Sequence, residues 1–173
     1  SEQKTSSGPG WTTILTGVWV NKHGISSNSV GPADADWPSI FRQVHNANDQ
    51  AQMYSFSTWG TINTLYFPAD MPLLAAHSEG GGDDYSVNRT LEVLGSHNPD
   101  FIFVHLDEPD GAGHSHGWGD EYDKSITDSD ARLGKLLDAV EKRQSETNED
   151  WLVLVTTDPV SYTHLTLPTI QPV

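Results

Sequence analysis

Two uninterrupted apolar runs constrain the fold of this chain more than any other feature. Residues 101–104 (Phe-Ile-Phe-Val) and residues 151–155 (Trp-Leu-Val-Leu-Val) lack the polar alternation of a strand with one face in water. Such runs are typical of strands that are buried on both faces, as in parallel sheets covered by helices. Between them, apolar residues recur at helical spacing among many charges, which indicates a long amphipathic helix. The pattern predicts an α/β fold with a mostly parallel sheet.

Earlier segments repeat this alternation of helix and strand. Residues 38–45 have helical spacing, and residues 52–57 then alternate toward a strand. Either Asp83 or Asp84 can cap a further helix, which ends at Asn98 before a proline. The repeated αβ units support helices on the faces of the sheet.

Charge and composition exclude several classes of function. The formal net charge of −15 opposes binding to a nucleic-acid backbone, which needs lysine and arginine. The chain contains no cysteine, so any metal must be held by histidine and carboxylates, the ligands of zinc, manganese, magnesium or calcium. No apolar run is long enough to predict a membrane segment.

A glycine-rich segment after the first apolar run carries two potential metal ligands. Residues 108–114 (Glu-Pro-Asp-Gly-Ala-Gly-His) place Asp110 and His114 four residues apart, and glycine would let the loop turn so that both reach one ion. In the alternative interpretation, Asp110 caps the next helix and His114 is simply exposed. His105 and His116 are weaker candidates, with supporting or structural roles expected.

Two further residues stand at the ends of predicted elements. Ser7 lies just before a short helix predicted over residues 11–18 and closed at Gly17, where the helix dipole would favour an anionic ester. Asp158 follows the second apolar run. Taken alone, Ser7 could be an ordinary helix cap and Asp158 could simply terminate a strand.

Together these segments resemble a known family. The pattern Ser7-x-Pro9, followed by Thr16-Gly17, then residues 23–25 (His-Gly-Ile) and Asn28, resembles the nucleophile region of nucleotide pyrophosphatases/phosphodiesterases of the alkaline phosphatase superfamily. Residues 108–114 resemble the metal loop of that family. Residues 153–158 resemble the strand that delivers an Asp-His ligand pair. The resemblance covers nearly all of residues 1–158 in the right order and implies an alkaline phosphatase-like fold.

The resemblance implies a role for each matching residue. Ser7 would be the nucleophile that forms a phosphoserine intermediate, and Asn28 and the N–H groups at the start of the helix would stabilise the phosphoryl oxygens. Asp110 and His114 would bind one of two divalent metal ions, expected to be Zn²⁺, and Asp158 would bind the other. The implied substrate is a small-molecule phosphate ester.

The chain also departs from the family pattern. An aspartate expected upstream of the nucleophile would lie before Ser1, Pro159 stands where a histidine is expected, and a further histidine would lie beyond the chain. Residues 159–173 carry no charge and resemble a translated sequencing-library adapter. We therefore expect residues 1–158 to be a partial catalytic domain and residues 159–173 a non-native tail, and we expect this polypeptide to bind zinc poorly and to have little activity. Localisation and oligomeric state stay open.

Two other functions remain open at this point. Sulfatases of the same superfamily carry formylglycine in a similar motif, which here would derive from Ser7, but Trp11 stands where their arginine would be. A non-catalytic acidic domain that binds a cation or a protein partner is the other alternative. Four tryptophans could line a substrate pocket, although packing is the ordinary role of this residue: Trp19, Trp37, Trp59 and Trp118.

Overall fold

The computed structural model describes residue 3 and residues 5–158, which form helices around a small sheet. The helices are α1 (Ser7–Thr16), α2 (Val20–His23), α3 (Ile40–Ala47), α4 (Asp83–Ser96), α5 (Asp110–His116) and α6 (Asp120–Thr147). The strands are β1 (Met53–Ser57), β2 (Ala76–His77) and β3 (Phe101–His105), with a π-helical turn at Ile62–Tyr66 and a 3-10 turn at Met71–Leu73. All strand pairs are parallel, in the order β2-β1-β3, which confirms the predicted α/β fold.

Strand β1 forms the centre of the core. All five of its residues are buried. On one side, Phe41 of α3 packs edge-on against Phe101 and Phe103 of β3, and on the other side Tyr54 and Phe56 pack near α4. The β1 sequence alternates Ser with larger side chains, but covering helices on both faces bury every position.

The prediction that both apolar runs form strands buried on both faces is wrong. Residues Phe101 to Val104 of β3 are only half-buried, because β3 pairs with β1 on one side and has no second partner among the described residues. Residues 151–158 form no strand, and Leu152 and Leu154 are each 81% exposed. An extended segment needs a neighbouring strand for its main-chain hydrogen bonds, and the described residues place none beside it.

Three helix boundaries also differ from the sequence prediction. Helix α1 begins at Ser7 rather than after it, and it ends as predicted at Gly17, whose φ of 71° is the left-handed conformation that glycine favours. Helix α4 begins at Asp83 after Gly82, and neither aspartate caps it. The glycine-rich segment that was predicted to form a loop over residues 108–114 lies largely in helix α5.

Helices α4 and α6 pack together, and both contact the segment that leads to α5. At their far end, the buried guanidinium of Arg143 in α6 donates to the carbonyl oxygens of Leu94 and His97, where α4 ends. The same guanidinium forms a two-pronged ion pair with Glu149. This contact satisfies carbonyl groups that a helix C-terminus leaves without partners. No helix in the described part of the chain combines the length and apolar character needed to cross a membrane.

Candidate active site

One groove contains every residue that the sequence analysis selected for the site. It has a volume of about 1790 Å³ and runs between the free edge of β3, helix α6 and residues 149–158. The selected residues that line it are Ser7, Asn28, Asp110, His114 and Asp158. Residues up to 151 positions apart in sequence are therefore brought to one cavity, at the end of the sheet where the parallel strands terminate.

Asn28 is fixed beside Ser7 by its side-chain oxygen. Its Oδ1 accepts a hydrogen bond from the main-chain N–H of Gly8 at 2.8 Å and another from the Ser6 hydroxyl at 2.7 Å. Because a main-chain N–H can only donate, the amide oxygen must face Gly8 and the amide nitrogen must face away. The nitrogen of Asn28 therefore remains a donor, on a side chain that lines the same groove as Ser7.

Gly8 permits the close approach between α1 and the Asn28 segment. A Cβ at this position would lie 2.5 Å from the Tyr66 hydroxyl and 3.0 Å from the Ser27 carbonyl oxygen. The Tyr66 hydroxyl also donates to the main-chain oxygen of Asn28 at 2.9 Å. The position of Asn28 relative to Ser7 thus depends on main-chain contacts that only glycine allows.

The expected anion site at the start of the helix is smaller than the resemblance implied. The N–H of Gly8 bonds to Asn28, Pro9 has no N–H, and the N–H of Gly10 bonds to the Ser6 carbonyl oxygen. Those groups are already used within the protein, so the N–H of Ser7 and the helix dipole are what α1 can direct at an anion. Asn28 becomes the more important donor.

Asp110 and His114 come together because they lie one turn apart on α5. The Asp110 Oδ2 and His114 Nε2 atoms are 3.4 Å apart, and both side chains are about half exposed. The convergence comes from helical i, i+4 spacing and not from a glycine-rich loop turning back. Pro109 precedes α5 and Asp110 is its first residue, while the Glu108 carboxylate accepts from the Ala112 N–H, so Asp110 does not cap the helix.

Asp158 lies in the groove near Ser7 and has an unsatisfied oxygen. Burial raises the pKa of its carboxyl above the usual range, a hydrogen bond from Ser7 partly offsets this, and the nearby charges of Asp110 and Asp107 raise it further. Its Oδ2 is buried and has no hydrogen-bond partner within the described residues. A buried carboxylate oxygen near other carboxylates needs a proton or a cation.

Asp107 is a member of the site that the sequence analysis did not select. It lines the groove, and burial together with the charges of Asp83, Asp110 and Glu108 raises its pKa. The signal was its position two residues after β3, at the carboxyl end of a parallel strand, where α/β proteins place functional groups.

The donors present suit a divalent cation but do not complete a site for one. Carboxylates and imidazole are the ligands that zinc and other divalent ions accept when thiols are absent. Three carboxylates influence one another across the groove, and one of them has an oxygen without a partner. Among residues 5–158, however, no three histidine, aspartate or glutamate side chains lie close enough together to hold one ion.

Sequence comparison decides the family. The chain matches the type I phosphodiesterase / nucleotide pyrophosphatase family over residues 36–158. The chain belongs to this family. That membership confirms the family resemblance, and the matched range includes residues 108–114 and 153–158. No protein among the curated sequences matches the chain.

Solved structures of phosphodiesterases confirm the fold. Murine ectonucleotide pyrophosphatase/phosphodiesterase 5 matches with a TM-score of 0.60 at 18% identity, covering 82% of this chain and 44% of that protein. An inactive variant of the same murine protein in complex with AMP matches with a TM-score of 0.57, at the same identity and coverage. The chain therefore has the alkaline phosphatase-like fold and spans less than half the length of these relatives.

The other residues that the sequence analysis named are buried, line the groove or are exposed to solvent. His105 is buried at the end of β3, edge-on to Trp11 with ring centroids 4.8 Å apart, and burial lowers its pKa to about 4, consistent with a structural role. Trp59 lines the groove, whereas Trp19 and Trp118 are exposed. Pro159 and the predicted tail lie outside the described residues.

Proposed function

We propose that the whole protein, in which residues 1–158 would form part of the catalytic domain, hydrolyses phosphate esters through a phosphoserine intermediate on Ser7. The observation that carries this proposal is the single groove lined by Ser7, Asn28, Asp110, His114 and Asp158. Membership in the phosphodiesterase family supports the reaction class.

The reaction would proceed in two displacements. The Ser7 oxygen attacks phosphorus, and the bond from phosphorus to the leaving oxygen breaks, which leaves the phosphoryl group on Ser7. Water then attacks phosphorus and releases Ser7. The Asn28 amide nitrogen would donate to a nonbridging oxygen in both steps, because its amide oxygen is held by Gly8 and Ser6.

Asp110, His114 and Asp158 would hold divalent metal ions, with Zn²⁺ the proposed metal. Bound metal would supply Lewis-acid stabilisation of negative charge on the reacting oxygens. The three side chains line the same groove as Ser7, and Asp158 has an oxygen without a hydrogen-bond partner among the described residues.

The proposed substrate class is a phosphodiester that contains a nucleoside monophosphate group. The murine relative was solved in complex with AMP. In this chain, Trp11 and Trp59 line the groove that contains Ser7 and provide aromatic surface on which a base could stack. We therefore place nucleotide phosphodiesters ahead of simple monoesters.

The proposal can be tested with an extended protein, which is expressed from the source reading frame continued on both sides of this chain. The quantity to measure is its rate of ester hydrolysis. We would measure release of nitrophenol from a chromogenic phosphodiester and a chromogenic phosphomonoester in the presence of zinc. Ser7→Ala is expected to lower kcat by on the order of 10³-fold or more, because the covalent step is removed. Ser6→Ala is the matched control, since Ser6 is the adjacent hydroxyl and also contacts Asn28, and it should retain activity within about tenfold.

Three results would contradict the proposal. Equal loss of activity in both variants would remove the special role of Ser7. Formylglycine at Ser7, detected by mass spectrometry, would establish the sulfatase alternative. Zinc binding without hydrolysis of either ester would favour a non-catalytic cation-binding domain.

A further inference from the structure

Asp83 connects helix α4 to the segment that carries Asp110. Its side chain is 3% exposed, and Oδ1 accepts the Asp107 N–H at 2.7 Å while Oδ2 accepts the Glu108 N–H at 3.2 Å. These are the first main-chain N–H groups of the segment between β3 and α5 after Leu106. One carboxylate therefore accepts from two consecutive main-chain N–H groups of the segment that leads into α5.

The location of Asp83 is costly unless these bonds form. A buried carboxylate must be compensated by donors or by a positive charge. Arg132 of α6 forms an ion pair with Asp83, but its Nη1 lies 3.7 Å from Asp83 Oδ2, which is longer than a hydrogen bond. The two main-chain N–H groups are the close donors, so the segment and the carboxylate stabilise each other.

The same segment is held at two further points. The Glu108 carboxylate accepts from the Ala112 N–H in the first turn of α5, and the Ser129 hydroxyl of α6 donates to the Glu108 carbonyl oxygen at 3.2 Å. These contacts orient α5 with respect to its own start and to α6. Within the described residues, the hydrogen bonds that join this segment to α4 are those that Asp83 accepts, and α4 packs beside β1 and β3.

We propose that Asp83 is a positioning residue for the turn of α5 that carries the proposed metal ligands Asp110 and His114. It fixes the peptides of Asp107 and Glu108 at the end of β3, and this places Asp110 and His114 in the groove with Ser7. Its own carboxylate is not proposed as a ligand, because Asp83 does not line the groove and its oxygens accept from the main chain. This inference rests on the proposed function for its catalytic consequence, but the contact itself can be tested separately.

Asp84 provides a matched control within the same helical turn. Both aspartates lie in the first turn of α4, and both pair with Arg132, with Asp84 Oδ1 2.8 Å from Arg132 Nε. The Asp84 side chain is 75% exposed and makes no contact with the Asp107 or Glu108 N–H. Substitution of either residue removes one charge near the helix N-terminus, but only Asp83 loses the link to the turn.

The experiment uses the same extended protein as the hydrolysis assay. We would measure hydrogen exchange of the Asp107 and Glu108 amides by NMR and the dissociation constant for Zn²⁺ by calorimetry. In Asp83→Ala, both amides should exchange at least about tenfold faster, and the zinc dissociation constant should rise about 10- to 100-fold, as for loss of groups that orient metal ligands. Asp84→Ala should change neither quantity by more than about twofold.

Asp83→Asn separates positioning from simple loss of folding. Its side-chain oxygen can still accept one N–H, so exchange and zinc affinity should fall between those of wild type and Asp83→Ala. Excess zinc should restore kcat in both variants if they fold, with folding checked by circular dichroism.

The outcomes distinguish this inference from the proposed function. Unchanged amide exchange or unchanged zinc affinity in Asp83→Ala and Asp83→Asn overturns the positioning role, whatever the activity. An equal effect of Asp84→Ala overturns it as well, as does a wild-type protein that binds no zinc. If wild type binds zinc and the Asp83 variants lose affinity but no ester is hydrolysed, the positioning role stands and the proposed function fails.

Discussion

The two ends of the groove are held in different ways. At the Ser7 end, Gly8 packs against Tyr66 and the Asn28 segment, and neutral side chains form short hydrogen bonds to the main chain. At the Asp110 end, carboxylates accept hydrogen bonds from main-chain N–H groups. Asp83 accepts from the segment after β3, and Glu108 accepts from the first turn of α5.

The Ser7 end is therefore organised mainly by close packing, and the Asp110 end mainly by charged groups. Close packing should make the Ser7 end sensitive to added volume and insensitive to charge. The Asp110 end depends on buried or half-buried charges, and its helices are further fixed by Arg143 at their far end. The two ends should therefore respond to different substitutions and to different changes in pH.

The largest expected effect is at the charged scaffold. Arg143→Met would leave two carbonyl oxygens at the end of α4 without their donors, so the free energy of unfolding should fall by about 3 to 5 kcal/mol. Chemical denaturation would measure this loss. Lys142→Met, at the neighbouring exposed position, should cost less than about 0.5 kcal/mol. A similar small loss in both variants would contradict a charge-based scaffold.

Acid should weaken the region where the two ends meet. His105 packs on Trp11 of α1 and faces Asp83; burial lowers its pKa to about 4 from an ordinary value of 6.5, although Asp83 partly opposes this. The unfolded chain therefore binds more protons between these values, so the stability from neutral His105 is present above pH 6.5 and is lost as pH falls toward 4. The loss should reach up to about 3 kcal/mol.

Denaturation curves across this pH window would measure the effect. His105→Gln should flatten the slope between pH 6.5 and 4, whereas His116→Gln, at an exposed position, should leave it unchanged. An unchanged slope in His105→Gln would show that other groups carry the acid sensitivity.

A smaller effect is expected at the packed end. Gly8→Ala would bring a methyl group into the Tyr66 hydroxyl and the Ser27 carbonyl oxygen, which should cost about 2 kcal/mol and displace Asn28 from Ser7. Gly95→Ala, in a helix with open space around the position, should instead be neutral or stabilising by up to about 1 kcal/mol. Thermal denaturation would compare them, and a stable Gly8→Ala protein would contradict the steric account.

Sequence patterns predicted the architecture better than the boundaries. The helical spacing before and after β1 and the apolar run of β3 predicted parallel αβ units, because periodicity reports which faces are buried. Residues 151–155 were predicted to form a buried strand, but strand formation requires a neighbour, which the apolar run itself does not provide. The helical turn of α5 was hidden by its glycines, which lower helix propensity.

The order of the motifs predicted the residues of the candidate site, but it did not predict the residues that position them. Ser7, Asn28, Asp110, His114 and Asp158 line one groove, although their functional roles stay predictions. Either Asp83 or Asp84 was predicted to cap α4, since aspartate is common at that position, whereas the Asp83 carboxylate accepts from residues 24 and 25 positions away. Such long-range partners depend on packing, and local sequence does not reveal them.

The most direct test of the central claim is to trap the covalent intermediate. The extended protein would be mixed with zinc and a chromogenic phosphodiester and quenched in acid, and its peptides would be analysed by mass spectrometry. We expect a phosphoryl group on Ser7 that is absent in Ser7→Ala and present in Ser6→Ala. Turnover with the phosphoryl group on Ser6, or with no phosphorylated serine at either position, would contradict it.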